Sequence, residues 1–525
     1  MEKRRKEAIS EALKKLSAGK VRDSHSLERL KRELGEKYAL GSVLRNSELI
    51  EALPARLGEK FRSLLSKRKV RTISGVSPIA IMCNAGCPHG RCAYCPRGEN
   101  AAQSYTGKEP AALRAIQNNY DAFAQTKARI EQLEAIGHRA EKCELIVMGG
   151  TFNAQPKKEQ EFFMRRALDA MNGRKSKTLA SALKLNEKAK HRAIGITFET
   201  RPDWCREKEV DWLLEMGATR VELGVQTLSD AVYRKVHRGH TVADVEKATQ
   251  VCRDSALKVL YHMMPGLLSN EKKDVAMFKK LFSDSRFKPD MLKIYPFMVM
   301  PNTEMHEWWR KGKISPYSSA EAARVIAKAS KFIPRWCRVM RVQRDIPVQL
   351  VAAGVDKSNL RELADDETKR LKSKCECIRC RELGLKALKH GIVPDWKSVK
   401  LNRMDYKASR GDEIFLSFDE TRHDLLVGFL RLRIPSKPHR PEITPDTGLV
   451  RELHVYGEAL GLGEKSGKRL QHKGFGEKLL AEAERIAREE FGMKKLVVMA
   501  GTGVKQYYRK LGYSDDGVYV AKRLG

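Results

Sequence analysis

Apolar residues between positions 73 and 335 form short runs separated by longer stretches with helical spacing. The runs are VSPIAIM, ELIVM, AIGITF, RVELGV, KVLYHMM and MLKIYPF. Between the first two runs, one helix face collects Leu113, Ile116, Tyr120, Phe123, Ile130, Leu133 and Ile136. Apolar runs that alternate with helices predict βα units around a parallel sheet. We therefore expect an α/β protein whose central part is a partial (βα)6 barrel.

The pattern changes on both sides of this region. The amino-terminal part is helical and basic, with Ile9, Leu13 and Leu16 at helical spacing and SKRKVRT at its end. Toward the carboxyl end, EIFLSFDE, DLLVGFLRLRI and VRELHVYG predict antiparallel strands, before the helix EKLLAEAERIAREEFG, the strand KLVVMAG and a helix around KQYYRKLGY. A chain of 525 residues is too long for one hydrophobic core. We expect a basic helical module, the barrel, a basic linker and a second globular domain, at residues 1–72, 73–335, 336–400 and 401–525.

The charge of the chain indicates a polyanionic partner. The sequence has 101 Lys and Arg against 66 Asp and Glu, which gives a formal net charge of +35. Such an excess repels itself unless a polyanion neutralises it, so nucleic acid is the expected partner. The alternative is a well-solvated basic surface.

The sequence contains no membrane or secretion signal. No run of 18 apolar residues is present, and the amino terminus MEKRRKEAISEALKKLSAGK lacks an apolar secretory core. We expect no membrane contact and a cytoplasmic location. Thiols stay reduced there, so clustered cysteines indicate metal ligands rather than disulfides.

One cysteine cluster directly follows the first predicted strand. CPHGRCAYC places Cys87, Cys92 and Cys95 at C-x4-C-x2-C spacing, and GGTF follows the second strand. The carboxyl ends of parallel strands form the functional edge of such sheets. Structural zinc with His89 as fourth ligand is one interpretation. The other is an iron–sulfur cube whose fourth iron stays open for a small molecule. We expect Cys83, at the strand end, to be structural.

A second cysteine cluster lies in the linker. CECIRC places Cys375, Cys377 and Cys380 close enough to bind one metal ion, and we expect structural zinc. The fourth ligand is not evident; His390 is a candidate by distance alone. The alternative is three reduced thiols without a metal.

The segment QHKGFG directly precedes the long helix of the second domain. Gly474 and Gly476 let backbone N–H groups face outward at a helix amino terminus, where the dipole favours an anion such as a pyrophosphate. Two glycines before a helix are about as often a plain turn.

Several long motifs together resemble a known family. CPHGRCAYCP, QSYTGKEPAALRAIQNNYD, VMGGTF, ITFETRPDWC, ELGVQT, RGHT and KIYP closely resemble the catalytic subunit of the Elongator complex in its stand-alone prokaryotic form. The likeness runs from about residue 70 to the carboxyl end. It implies that Cys87, Cys92 and Cys95 hold a 4Fe–4S cluster, and that Gly149 and Gly150 admit the methionine end of S-adenosylmethionine (SAM). The cysteine spacing is one residue longer than the commonest radical-SAM pattern.

The second domain is similar to GNAT acetyltransferases in the order of its strands around QHKGFG. That similarity implies that the pantetheine arm of acetyl-CoA pairs with an opened strand edge. It implies a cofactor site whose arm contacts are Glu452, Leu453, His454 and Val455, and whose diphosphate contacts are Gln471, Gly474, Phe475, Gly476, Glu477 and Lys478. Tyr508 is expected at the CoA sulfur as a catalytic residue, with Tyr507 structural. The family also implies that Lys142 reaches acetyl-CoA from the barrel and takes part in catalysis.

The family implies modification of the wobble uridine of tRNA, position 34. A SAM-derived radical would take hydrogen from the methyl of acetyl-CoA, and the carbon radical would add to the uracil to give 5-carboxymethyluridine. Basic and aromatic residues in RWCRVMRVQRDIP, VDKSNLREL and LNRMDYKASRGDE would grip the anticodon loop. We expect an external electron donor, and action without accessory subunits or as a homodimer. The alternatives are a protein lysine acetyltransferase, which the net charge disfavours, and a non-catalytic tRNA-binding module.

Overall fold

A computed structural model of the protein describes residues 2–54, 61, 64–66, 73–456 and 474–525. Residues 67–72, the basic end of the predicted amino-terminal module, lie outside the described residues, and so does Gln471. Within the described part of the chain, no helix has both the length and the apolar character needed to cross a bilayer.

The amino-terminal module is a small helical bundle. Its helices are α1 (Glu2–Ser17), α2 (Ser24–Lys37) and α3 (Asn46–Ala52). Its core includes Ala8, Ala12, Leu16, Leu27, Leu30, Leu34 and Leu49. The predicted residues Ile9 and Leu13 lie at the edge of this core, because the small alanines let α1 approach its neighbours closely. Ser66 Oγ donates to the Gly137 carbonyl at 2.7 Å and ties the module to the rest of the chain.

A parallel sheet organises the barrel domain. Its strands are β1 (Ser77–Met82), β2 (Lys142–Met148), β3 (Arg192–Thr200), β4 (Arg220–Gln226), β5 (Lys258–Met263), β6 (Met291–Ile294) and β7 (Arg338–Val342). They pair in sequence order. The six predicted runs are β1 to β6. The seventh strand comes from the segment interpreted as linker, because RVMRV is short and its two arginines, Arg338 and Arg341, leave only a weak apolar signal.

Helices flank these strands. They are α4 (Pro110–Gln117), α5 (Ala122–Ala135), α6 (Lys157–Asn172), α7 (Leu179–Asn186), α8 (Glu207–Glu215), α9 (Asp230–Lys235), α10 (Val242–Asp254), α11 (Glu271–Ser283), α12 (Glu304–Arg310) and α13 (Ser319–Ser330). The single helix face predicted between β1 and β2 belongs to two helices, α4 and α5. The chain turns between them with Asn119 and Tyr120 at positive φ, and Asp121 caps α5 by accepting from the Ala124 amide at 2.7 Å.

The carboxyl-terminal domain is a mixed sheet. Three short helices lead to it: α14 (Leu360–Arg370), α15 (Ile378–Arg381) and α16 (Leu383–His390). Its strands are β8 (Val399–Ala408), β9 (Gly411–Glu420), β10 (Leu425–Ile434), β11 (Thr447–Val455), β12 (Lys495–Val498), β13 (Ser514–Asp516) and β14 (Tyr519–Arg523), and its helices are α17 (Phe475–Arg485) and α18 (Lys505–Arg509). The sheet order is β13-β14-β12-β11-β10-β9-β8. The basic stretch LNRMDYKA is therefore an edge strand.

This domain lies against the amino ends of the barrel strands. A Cβ on Gly501 would lie 2.1 Å from the Ile194 carbonyl oxygen, and one on Gly503 would lie 2.5 Å from the Cβ of Arg192. Both contacts are at the start of β3. The two glycines therefore let the loop before α18 touch the barrel directly.

A buried ion-pair network joins the two domains. Asp290, just before β6, accepts two hydrogen bonds from Arg451 of β11, at 2.6 and 2.8 Å. Glu413 of β9 accepts from Arg253 of α10 at 2.7 Å. Asp254 of the same helix pairs with Arg433 of β10 at 2.6 Å. All these side chains are 0 or 1% exposed, so the interface places three carboxylates against three guanidinium groups away from water.

Candidate active sites on the barrel and the carboxyl-terminal domain

The loop after β1 holds the first cysteine cluster in a fixed shape. Gln103 fastens it from both sides: its side-chain oxygen accepts from the Cys87 amide at 2.8 Å and its nitrogen donates to the Gly90 carbonyl at 2.7 Å. The Cys95 amide donates to the Cys92 carbonyl at 2.9 Å. Cys92 and Cys95 are buried and Cys87 is half-buried. The loop therefore lies at the carboxyl end of β1, as the sequence predicts.

The surroundings of Cys92 carry excess positive charge. His89 Nε2 lies 3.2 Å from the Cys92 sulfur, and Arg201 donates to the same nitrogen at 2.9 Å. Arg238 approaches the Cys92 sulfur at 3.6 Å, and its Nε is buried without a hydrogen-bond partner in the described structure. Arg201 is paired with Asp203. The two buried guanidinium groups of Arg201 and Arg238 therefore have one carboxylate, Asp203, between them. An anionic cluster bound by thiolates would balance the remaining positive charge.

The sulfurs of the cysteine loop are less tightly grouped than those of the linker cysteines. Among the described residues, two groups of three ligand atoms lie within 4.8 Å of one another, and the sulfurs of Cys87, Cys92 and Cys95 form neither of them. A cube holds its thiolates farther apart because each binds a different iron. Burial raises the pKa of Cys87, and raises that of Cys95 to about 11. These thiols are protonated until a metal displaces the proton.

Gly149 and Gly150 follow β2 beside this loop. Both have positive φ, and a Cβ would lie 2.2 Å from the Cys83 carbonyl at Gly149 and 2.1 Å from the Ala85 carbonyl at Gly150. Only glycine fits both positions. Cys83 is buried, and its sulfur lies 3.4 Å from the carbonyl oxygens of Met148 and Gly149 at the end of β2. These contacts suit the structural role expected for Cys83.

The inside of the barrel holds a charged cluster that the sequence reasoning missed. Lys293 of β6 pairs with Glu199 of β3 at 2.9 Å and also with Glu222 of β4. His262 of β5 lies 2.8 Å from Glu222. Tyr105 donates to Glu199 at 3.2 Å from the segment after the cysteine loop. Burial opposes ionisation of Glu222, but Lys293, His262 and Arg220 together outweigh it and hold the pKa of Glu222 well below its usual range.

Glu199, Glu222 and His262 have metal-binding spacing, but Lys293 already supplies a cation between the two carboxylates. The sequence contains a signal for this cluster: VEL, YHM and LKI each place a polar residue between two apolar ones, as expected for a side chain that faces the interior of the barrel.

The sheet of the carboxyl-terminal domain opens at β11. This strand pairs with β12 in parallel only from Thr447 to Val450, and then continues to Val455 paired with β10 alone. A bulge at Arg451 marks the change. Among the residues that the structure describes, no strand pairs with the second edge of residues 452–455, and such an edge fits the amides of a pantetheine arm.

The side chains on this edge differ in their surroundings. Glu452 accepts from Arg431 at 2.9 Å, and Leu453 packs against the core behind the sheet. His454 stacks on Phe429 and lies 4.4 Å, ring centre to ring centre, from Tyr456. Glu452 and His454 thus turn toward the barrel. The backbone amides and carbonyls of this strand are then the groups that could pair with the pantetheine arm.

The helix α17 begins at the predicted glycines. Gly474 caps it with φ of 69°, and a Cβ on Gly476 would lie 2.9 Å from the Tyr507 hydroxyl. Phe475 packs on Phe418 at 4.8 Å. Glu477 and Lys478 are exposed in the first turn. Free amides at this amino terminus suit a diphosphate.

Tyr508, Tyr507 and Lys142 occupy three different positions. Tyr508 is buried, with its ring 5.2 Å from Tyr507 and 5.9 Å from Tyr513. The partly exposed Tyr507 carries its hydroxyl to Gly476. Lys142 begins β2 and pairs in register with Arg192, the residue that Gly503 touches. Burial lowers the pKa of Lys142. It therefore lies at the barrel edge that faces the loop before α18.

The linker cysteines form a tight group. Cys375, Cys377 and Cys380 offer sulfurs within 4.8 Å of one another, which suits one ion. Hydrogen bonds from Cys375 and then Cys380 lower the pKa of Cys377. Within the described residues no fourth side chain joins this group, and His390 is exposed at the end of α16.

Many basic residues that the sequence assigned to RNA binding are neutralised within the protein. Arg335 pairs with Asp424 at 2.6 Å, Arg338 with Glu382 at 2.6 Å and Arg403 with Asp405 at 2.8 Å. These guanidinium groups fix the linker and β8 in place. The net charge of the surface must therefore be carried by other residues.

Four family descriptions match the chain in order. They are the ELP3 N-terminal domain over residues 5–73, the Radical SAM superfamily over 81–282, the Radical_SAM C-terminal domain over 289–370 and the Acetyltransferase (GNAT) family over 390–513. The fold and the two sites thus define a radical SAM enzyme that carries a GNAT acetyltransferase domain in the same chain.

Relatives match over nearly the whole length. The tRNA uridine(34) acetyltransferase of Methanocaldococcus infernus is 48% identical and covers 98% of each chain. Human Elongator complex protein 3 is 41% identical over 95% of this chain and 93% of its own. The structure of archaeal Methanocaldococcus infernus Elp3 with N-terminus deletion (1-46) matches with a TM-score of 0.78 at 47% identity, over 86% of this chain and 100% of that chain. The chain belongs to the Elongator protein 3 family.

Proposed function

We propose that the protein modifies uridine 34 of tRNA, forming 5-carboxymethyluridine from acetyl-CoA with a SAM-derived radical. The observation that carries the proposal is that one chain holds two sites on domains joined by a buried interface, one at the carboxyl ends of the barrel strands and one on the domain at their amino ends. A cysteine loop suited to a cluster lies on the barrel, and an opened strand edge suited to acetyl-CoA lies on a domain fixed to it by buried ion pairs. Relatives named tRNA uridine(34) acetyltransferase share nearly the full length.

Cys87, Cys92 and Cys95 would hold the cluster, and Gly149 with Gly150 would let SAM approach the backbone. When bound, the cluster and SAM supply a radical that removes a hydrogen atom from the acetyl methyl group. Arg201 and Arg238 offset the charge of the thiolates. The buried loop keeps water from the reacting atoms. An external donor supplies the electron.

The acetyl-CoA would lie along the free edge of Glu452, Leu453, His454 and Val455. Its diphosphate would meet the amides of Gly474, Phe475, Gly476 and Glu477 and the side chain of Lys478, whose own amide donates to the Gly474 carbonyl. Lys142 approaches from the barrel edge, and Tyr508 would donate a proton to the sulfur that leaves on thioester hydrolysis. Burial raises the pKa of Tyr508, which keeps it protonated at neutral pH.

The two neighbouring tyrosines give a matched test. Replacing Tyr508 by phenylalanine should lower product formation by about a hundredfold, because a positioned proton donor contributes about that much or more. Tyr507→Phe removes the hydroxyl beside Gly476, where the diphosphate is proposed to bind. It should change kcat by less than about threefold and should act mainly on KM for acetyl-CoA. Initial rates with varied acetyl-CoA decide this. A larger loss of kcat in Tyr507→Phe would reverse the assignment.

Cys375, Cys377 and Cys380 would hold one structural zinc ion. We expect about one zinc per chain in the wild type and in Cys92→Ala, and none in Cys377→Ala, since three ligands are needed to retain a structural ion. Metal analysis of anaerobically purified protein measures this. Zinc that disappears with Cys92 and persists without Cys377 would refute the assignment.

The proposed function is tested by reconstituting the protein with iron and sulfide without oxygen, then adding SAM, reductant, acetyl-CoA and unmodified tRNA. Mass spectrometry of the digested tRNA should show 5-carboxymethyluridine at position 34. Omitting any one component should abolish it. Acetylated lysine in a basic protein, with unmodified tRNA, would instead support a protein acetyltransferase.

A further inference from the structure

A lysine-walled groove opens on the rim of the barrel beside the cysteine loop. Its volume is about 490 Å³, and α9 and α11 with the loops before them form its walls. Lys235 projects from α9, and Lys273 and Lys280 project from α11. Both helices follow the carboxyl ends of β4 and β5, so the groove lies on the same edge of the sheet as Cys87, Cys92 and Cys95.

The three lysines are not neutralised by neighbours. Within the described residues, none of their ammonium groups takes part in an ion pair, unlike the paired arginines of the linker. The acidic residue of the groove, Asp274, is 2% exposed and accepts from Tyr317 and the Gly266 amide at 2.7 Å each. The walls therefore present positive charge to solvent.

The spacing of the lysines favours a chain of phosphates over one free anion. Lys273 and Lys280 are seven residues apart on one helix face, which separates them by about 10 Å along the axis. One phosphate group cannot reach both. Successive phosphates of a nucleic acid strand can, and Ser229 and Ser269 add hydroxyl groups between the walls.

An aromatic platform continues the groove toward the cysteine loop. Lys235 Nζ lies 5.8 Å from the ring centre of Trp308 on α12. Trp308 is half-buried and packs in the same apolar cluster as Ala93, which lies between Cys92 and Cys95. The Met305 amide donates to the Ala93 carbonyl at 3.0 Å and fastens α12 to the loop. An unpaired base can stack on such a half-exposed indole.

We propose that this groove, Lys235, Lys273 and Lys280 with Trp308 at its inner end, holds the single-stranded anticodon loop of tRNA and directs it to the cysteine loop. The inference rests on the proposed function and names the surface that serves it. The lysines bind the backbone without reading sequence, and Trp308 supports a base next to the one that reacts.

Two double variants on the same helix test the proposal. Lys273→Gln with Lys280→Gln changes the groove wall, whereas Lys272→Gln with Lys279→Gln removes the same charge from exposed positions that do not line the groove. Fluorescence anisotropy with a labelled anticodon stem-loop, at several salt concentrations, measures binding to the full-length protein. Thermal melting checks that both variants are folded.

The groove variant should bind about tenfold more weakly, and its slope of log affinity against log salt should flatten by about 1.4, because each phosphate contact on a single strand contributes about 0.7. The control should stay within about twofold of wild type. Trp308→Ala should weaken binding while Trp308→Phe retains most of it. Equal losses in both double variants, or none in either, would overturn the groove assignment. If the wild-type protein bound the stem-loop but never modified tRNA, the proposed function would be refuted and the groove assignment would stand.

Discussion

If Cys92 is a ligand of the proposed iron–sulfur cluster, Cys92→Ala should lose the cluster and lower tRNA modification by more than about a hundredfold. Loss of a residue that merely supports a metal ligand costs about 10- to 100-fold, so loss of a ligand itself costs more. The replaced sulfur lies beside His89 and Arg238, and without it the Arg238 guanidinium has no thiolate to face. Iron and sulfide content, visible absorbance and nucleoside mass spectrometry report the result.

Cys83→Ala is the matched control for this prediction. Cys83 is buried four positions before Cys87, but its sulfur faces the Met148 and Gly149 carbonyls. This variant should keep its iron, sulfide and activity. If Cys92→Ala retained a full cluster while Cys83→Ala lost it, the ligand assignment would be wrong.

Asp290→Asn should lower the free energy of unfolding by about 3–5 kcal/mol, because removing one charge of a buried network leaves its partners buried and uncompensated. Asp290 accepts two hydrogen bonds from Arg451 and one from the Val259 amide. Arg451 would retain Glu413 and the Leu257 carbonyl as acceptors, and at most one of its two hydrogen bonds to residue 290. Denaturant unfolding followed by circular dichroism measures the change.

The exposed pair of Asp366 and Lys369 provides the comparison. Its side chains are 71 and 78% exposed, and such pairs contribute about 0–1 kcal/mol. Asp366→Asn should therefore unfold like the wild type. If Asp290→Asn did the same, the interdomain network would not hold the two domains together, and the fixed relation between the two sites would lose its support.

The local patterns predicted most of the barrel because its strands are buried on both faces and read as apolar runs. β7 was not predicted because RVMRV is only five residues long and two of them, Arg338 and Arg341, are charged. β8 was not predicted for a related reason. An edge strand with an exposed face keeps charged residues, so VKLNRMDYKA resembles a basic surface segment. The break between α4 and α5 depends on two residues at positive φ, which apolar periodicity does not report.

Spacing along the chain predicted that Cys375, Cys377 and Cys380 lie together, since residues close in sequence are close in space. The charged cluster of Glu199, Glu222 and Lys293 was missed because its members come from three strands, and only the folded sheet brings them together. The arginines in LRLRI and VREL were visible as charges within strands. The partners of these arginines, Asp254 and Asp290, belong to the barrel domain. A single sequence does not show that these residues of two domains are in contact.

The pairing of the radical site with the acetyl-CoA site is the central claim, and isotope transfer tests it most directly. The reconstituted protein is given SAM, reductant, unmodified tRNA and acetyl-CoA whose methyl group is fully deuterated. The account predicts deuterium in the released 5′-deoxyadenosine and a modified uridine that retains the remaining two methyl deuterons. Modified tRNA formed together with unlabelled 5′-deoxyadenosine would contradict it.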